Sequence, residues 1–213
     1  MTQLLTEGLD LPAGVTFLVG ENGAGKSTLV EGIAEALEVH AEGGLRRHAP
    51  GRAEAAVDAS SLGSRLEVVR GVAKAREVFF LRAETMHRFY SFLRDAGSPA
   101  HSNLHEMSHG ESFLDVVGAP WMRPVGMLLL DEPESALSFR NSLVLGASFA
   151  QMAAEGKQVL CATHSPVLTA LPGARILQVD EQGLTRVDWE DLAIVKDWRF
   201  FLDAPQRYWR RVL

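Results

Sequence analysis

Three runs of residues in this chain have types and spacings suited to phosphate chemistry. The first is Gly20-Glu21-Asn22-Gly23-Ala24-Gly25-Lys26-Ser27, followed by Thr28. Glycines at 20, 23 and 25 let a backbone curl until successive N–H groups point inward at phosphate oxygens. A helix opening near Lys26 adds its positive dipole end. A lysine so placed reaches the outer phosphates of a nucleoside triphosphate, and the Ser27 hydroxyl falls on a magnesium ion. The second run, Leu128-Leu129-Leu130-Asp131-Glu132-Pro133, is an apolar strand ending in two acids. Asp131 suits the magnesium, directly or through water, and Glu132 suits a general base that orients an attacking water. Alone, the run reads more simply as a strand ending in a solvated turn; beside the phosphate loop the catalytic reading takes over. The third run is Ala162-Thr163-His164-Ser165-Pro166. An isolated strand-end histidine is usually structural, but after the acidic strand His164 becomes a partner for the terminal phosphate or the attacking water.

Positioning these groups needs buried strands followed by helices. Val15-Thr16-Phe17-Leu18-Val19 is a short, partly β-branched apolar run that reads as a parallel strand, and residues 26–39 follow with helical spacing, placing Leu29, Ile33, Ala36 and Leu37 on one face. Residues 77–82 and 127–130 are further strands, as is the run 158–163, and residues 141–155 form a helix stopped by Gly156. Ser108 with Glu111 makes a capping box that opens a helix over 108–117. Residues 176–187 alternate around Gln182-Gly183 as an edge hairpin, and a helical tail runs from 189 to 213. The stretch 40–64 reads as an irregular excursion with at most one short helix, 86–95 as a helix and 96–107 as a loop. Alternating strands and helices imply an α/β fold with a mostly parallel sheet covered on both faces, in one domain over residues 1–213 with a short insertion at about 40–107.

Taken in order, the phosphate loop, Met107-Ser108-His109-Gly110-Glu111, Asp131-Glu132-Pro133, Ser135-Ala136-Leu137-Ser138 and His164 resemble the ATP-binding cassette (ABC) class of P-loop ATPases. The fuller phrases Phe-Phe-Leu-Arg-Ala-Glu, Ser-His-Gly-Glu-Ser-Phe-Leu and Leu-Asp-Glu-Pro-Glu are similar to small stand-alone bacterial ATPases of AAA or ABC type. The resemblance implies ATP as the nucleotide with Mg²⁺ as its metal, and Lys26, Glu132 and His164 as catalytic residues. It further implies that Ser108, His109, Gly110 and Glu111 bind the γ-phosphate held by an opposing subunit, in an ATP-dependent head-to-tail homodimer. Ser108 at a helix N-terminus would form an anion site on physical grounds as well. The chain departs from the family pattern at Met107, His109, Glu111 and Ser138. No glutamine lies between Ser27 and Ser108, so Glu84 is the candidate for the family's metal-contacting Gln. No aromatic residue precedes Phe17 to stack on adenine; Arg46 and Arg47 either lie against the nucleotide or are solvated loop charges.

Composition narrows the task. A formal net charge of −6 over 213 residues argues against a broadly basic nucleic-acid surface. One cysteine, Cys161, cannot form an internal disulfide, which suits a reducing cytoplasm. No apolar run approaches a membrane span, so the expectation is a soluble chain that meets a membrane only through a partner. The favoured expectation is an ATPase that drives a conformational change in an unidentified protein partner, in DNA maintenance or defence, with nucleic acid touched over a small surface or through that partner. The alternatives are the nucleotide-binding subunit of an ABC transporter, against which the missing Gln and the short pre-signature interval weigh, and a low-turnover ATP-gated switch. In the tail, Trp198, Phe200, Phe201, Tyr208 and Trp209 with Arg207, Arg210 and Arg211 read either as a nucleic-acid or partner contact or, the simpler reading, as an amphipathic helix packed on the domain edge.

Overall fold

The computed structural model describes residues 7–39, 44–45, 62–71, 77–83 and 109–212. Their strands are β1 (Gly14–Val19), β2 (Gly44–Leu45), β3 (Glu77–Arg82), β4 (Val125–Asp131), β5 (Gln158–Ala162), β6 (Arg175–Asp180) and β7 (Gly183–Arg186). Their helices are α1 (Lys26–Ala36), α2 (His109–Gly118), α3 (Phe139–Ala154), α4 (Pro166–Thr169), α5 (Ala193–Asp203) and α6 (Pro205–Val212). The strands make one sheet in the order β2-β3-β4-β5-β1-β6-β7. It is parallel from β3 to β6, and β2 and β7 close its two edges antiparallel.

Period-two alternation sends neighbouring side chains of the central strands to opposite faces, and both faces are apolar, as a doubly covered parallel sheet requires. Phe17, Phe79, Leu128, Leu130 and Val159 join Phe113 of α2 and Leu145 and Phe149 of α3 in one core. Leu18, Phe80, Leu129 and Leu160 meet Leu29, Val30, Ile33 and Ala34 of α1 in the other. The buried face of α1 is therefore centred on 29, 30, 33, 34 and 37, and Ala36 is only half-buried. This helix also stops at Ala36 and does not continue to 39. Glu38 takes a left-handed backbone (φ 62°), and Glu38 N–H and Val39 N–H bond back to the carbonyls of Glu35 and Ala34. That is a Schellman closure made without glycine. Helix α3 begins two residues earlier than the sequence suggests, because the Ser138 hydroxyl accepts from Asn141 N–H and caps it.

Within the expected irregular excursion the described residues include β2 and the start of a 3₁₀ turn at Gly63–Arg65. The turn lies against α1, where Leu62 packs over Gly32 so closely that a Cβ there would stand 2.9 Å from Leu62 Cδ2. The expected helix at 86–95 and loop at 96–107 lie outside the described residues, as do Arg46 and Arg47. The expected hairpin is present, but it turns at Glu181-Gln182, one residue before the expected Gln182-Gly183, because Gly183 already pairs with Asp180 as the first residue of β7. Asp180 Oδ1 ties the turn by accepting from Gln182 N–H and Gly183 N–H. Tail aromatics pack mainly on one another, with Tyr208 edge-on to Phe200 at 5.4 Å and to Phe201 at 5.7 Å. Trp198, Phe200, Leu202 and Trp209 stay largely exposed. Among the described residues no helix is long and apolar enough to cross a membrane.

Candidate nucleotide site

Four parallel strands end in one row. Arg82 pairs with Asp131, Asp131 with Ala162, and Ala162 with Leu18. The ladder runs slightly further, with Ala83 N–H donating to Asp131 O, Glu132 N–H to Ala162 O and Thr163 N–H to Leu18 O. The three motif runs thus leave the sheet side by side at its carboxyl edge, the position where open α/β sheets bind ligands.

The glycine loop from β1 to α1 is shaped by close approach and by backbone hand. A Cβ on Gly20 would stand 2.3 Å from the Val179 carbonyl oxygen of β6, so only glycine fits there. Gly25 caps α1 in the left-handed region (φ 95°), which a side chain would strain. Lys26, 4% exposed, folds back so that Nζ donates to Gly20 O at 2.9 Å and Glu21 O at 3.0 Å. Burial lowers its pKa, opposed by the nearby carboxylates of Glu132, Asp131 and Glu134.

Ser27 Oγ donates to Asp131 Oδ1 at 3.0 Å, and Arg82 Nε approaches the other oxygen, Oδ2, at 3.2 Å. Arg82 also reaches Glu31 of α1, Nη1 to Oε1 at 2.5 Å. Asp131 is 3% exposed, and burial pushes its carboxyl up to about 6 against the lowering effects of the Ser27 hydrogen bond and the Arg82 charge. Among the described residues no three acids, imidazoles or thiols gather as a metal cage. A cation that keeps its waters and takes one carboxylate, one hydroxyl and substrate phosphates fits this donor set, and that is the habit of Mg²⁺.

Glu132 opens the turn after β4 with φ 49° and ψ 50°, a left-handed backbone that costs a non-glycine residue on the order of 1–2 kcal/mol. Its carboxylate stays solvent-accessible, and Oε1 lies 3.4 Å from His164 Nε2. Glu134, two residues on, accepts a hydrogen bond from the His164 backbone N–H. Its second oxygen, Oε2, and His164 Nε2 are both shielded from solvent and without a hydrogen-bond partner. The two atoms are polar groups with capacity left for a ligand or water. Below them Thr163 Oγ1 accepts from Ser165 N–H, and Ser165 Oγ caps α4 through Leu168 N–H, so the histidine turn stands on a fixed base.

Of the residues singled out by sequence, Gly20, Glu21, Asn22, Gly23, Ala24, Gly25, Lys26, Ser27, Thr28, Asp131, Glu132 and His164 all lie at this edge. Glu84 and Ser108 lie outside the described residues. His109, Gly110 and Glu111 enter only as the first backbone turn of α2. Three residues escaped the sequence reading: Arg82, Glu31 and Glu134. The available signal for Arg82 was a basic residue ending a strand predicted to finish at the acidic edge.

Comparison with known proteins follows the same outline. Residues 9–135 match the family model described as ABC transporter. The hemin import ATP-binding protein HmuV of Rhodopseudomonas palustris is 28% identical over 205 residues, covering 85% of this chain and 77% of that protein. An uncharacterized ABC transporter ATP-binding protein of Haemophilus influenzae is 28% identical over 78 residues; the match takes in 37% of this chain and only 30% of that protein. The structure of cbiO1 from Clostridium perfringens, part of the ABC transporter complex cbiONQ, superposes with a TM-score of 0.52 at 15% identity over 96% of this chain and 90% of that one. At that identity the likeness concerns the fold.

Proposed function

The chain belongs to the ABC transporter family of nucleotide-binding ATPases, and from that premise we propose that it is the ATP-hydrolysing subunit of a transporter, working as an ATP-sandwich homodimer at the cytoplasmic face beside a membrane partner. The observation that carries the catalytic part is the Ser27–Asp131 contact at 3.0 Å beside a buried Lys26. Together they bring a hydroxyl and a carboxylate into contact at a helix N-terminus, with the Lys26 ammonium close enough to feel the charge of Asp131. Support for the transport part is the alignment with a transporter ATP-binding protein over 85% of the chain. It puts transport ahead of DNA maintenance or defence, which the missing Gln and short pre-signature interval had favoured.

In this reading the loop N–H groups and Lys26 hold the β- and γ-phosphates, and Ser27 and Asp131 hold Mg²⁺. When bound, the metal supplies charge neutralisation at the phosphate oxygens. Lys26 releases Gly20 O and Glu21 O to meet the substrate. Glu132 takes the proton of a water that attacks the γ-phosphorus, and ADP leaves. His164 donates from Nε2 toward the same region. Ser108 and the α2 N-terminus of a second copy close the site.

Sedimentation of Glu132→Gln with ATP and Mg²⁺ tests the sandwich. A dimer that reverts to monomer on ATP removal is expected, and a monomer at micromolar concentration would refute it. Tagged chain recovered from its own cells with a polytopic membrane protein supports transport; recovery with DNA or a nuclease would restore the maintenance or defence reading.

A further inference from the structure

We infer that Arg82 is a positioning residue that fixes the Asp131 carboxylate for the divalent cation by clamping it between β3, the Ser27 hydroxyl and α1. The inference rests on the metal–nucleotide reading above. Arg82 ends β3, Asp131 ends β4, and the two are register partners in the sheet. Ser27 holds Asp131 Oδ1 at 3.0 Å, and Arg82 Nε holds Oδ2 at 3.2 Å. Both oxygens of a nearly inaccessible carboxylate are therefore gripped, from two different elements. Arg82 is itself held, because Nη1 reaches Glu31 Oε1 at 2.5 Å.

Glu31 is on α1, the helix that also carries Lys26 and Ser27. One guanidinium thus ties the strand bearing the acid to the helix bearing the hydroxyl. The planar fork of arginine can serve two carboxylates along two edges, whereas a lysine offers a single point charge. Mg²⁺ demands near-octahedral geometry and tolerates little displacement of its few protein ligands. A carboxylate held only by Ser27 could rotate about its side-chain bonds. Partners that orient metal ligands in this way are worth about 10–100-fold in metal affinity.

The test compares wild type, Arg82→Lys, Arg82→Met and the double variant Arg82→Met/Glu31→Gln, which removes the acid that the single change strands. Circular dichroism selects folded variants. Binding of a fluorescent ATP analogue is then measured in EDTA and across a Mg²⁺ titration. In Arg82→Met and the double variant the Mg²⁺ midpoint should rise about tenfold, with affinity in EDTA within about twofold of wild type. Arg82→Lys should fall between them and wild type. An unchanged Mg²⁺ midpoint in the folded double variant overturns the clamp, and so does an equal loss in EDTA and in Mg²⁺. If wild type binds the analogue without any Mg²⁺ dependence, the metal–nucleotide reading fails and the clamp falls with it.

Discussion

The Ser27 hydroxyl donates to Asp131 Oδ1 at 3.0 Å, joining the first turn of α1 to a strand end 104 residues further along the chain. Neither residue's meaning is local. Ser27 belongs to the glycine loop, Asp131 to the end of a fully buried strand, and β5 between β1 and β4 sets their spacing. The contact leaves Asp131 with more burial than compensation, which makes it the most direct handle on the site in the absence of ligand.

Asp131 should give the apoprotein a pH-dependent stability. Its carboxyl ordinarily titrates at 3.8 and is pushed up to about 6 in the fold, so the folded state binds the extra proton between those values. Stability is thus higher below pH 4, declines as pH rises through 6, and levels off above. By linkage this limb is worth on the order of 2–3 kcal/mol. Urea unfolding in EDTA at several pH values should show it in wild type. Asp131→Asn should flatten it and raise the midpoint at pH 7.5; a parallel pH profile in the variant would contradict the assignment.

Gly20→Ala should damage the loop through the edge hairpin. The new methyl would stand 2.3 Å from Val179 O, a backbone atom that cannot swing aside. A loss of about 2 kcal/mol or more is expected from such overpacking. Gly118→Ala, with nothing within 4 Å, should be neutral or slightly stabilising and serves as the control. Thermal unfolding of the pair gives the comparison directly.

Glu134 should matter as an acceptor more than as a charge, since it receives the His164 backbone N–H. Replacement by Ala frees the histidine turn and should lower kcat about tenfold with KM little changed, the loss of roughly one hydrogen bond's worth of positioning. Replacement by Gln keeps an acceptor oxygen and should remain within about threefold. Equal losses in both variants would point to the carboxylate charge.

Cys161 should be inert in the native protein. It is completely buried in β5, and burial together with Glu134 and Asp131 raises its thiol pKa. An aromatic disulfide reagent should release no chromophore until urea unfolds the chain. Rapid native labelling would mean that the central sheet opens under mild conditions.

The sequence was most legible where a local pattern and a local structure coincide. Residues 77–82 read as a strand and are β3; the alternation around Gln182-Gly183 read as a hairpin and pairs as β6 and β7. The glycine loop, Asp131, Glu132 and His164 were visible because each follows an apolar strand. The sheet order was not, because β5 enters between β1 and β4 through packing on both faces, and periodicity carries no such instruction. Arg82 went unnoticed because a strand-terminal arginine reads as solvated punctuation until the neighbouring strand is known. The order of the tasks shifts toward the transporter alternative for a related reason: a missing Gln and a short interval are local departures, while the alignment with a hemin import ATP-binding protein spans most of the chain.

One property of the sheet reaches back to the making of the protein. On the ribosome, β1, the glycine loop and β4 emerge before β5, yet β5 is the strand that must lie between β1 and β4. Until it arrives those two strands have no common neighbour, and Ser27 and Asp131 have no reason to meet. A nascent chain halted before residue 158 would carry both residues and still be unable to join them in one grip. Nucleotide affinity should therefore appear late and abruptly during translation, switched on by a five-residue strand whose own side chains are mostly core.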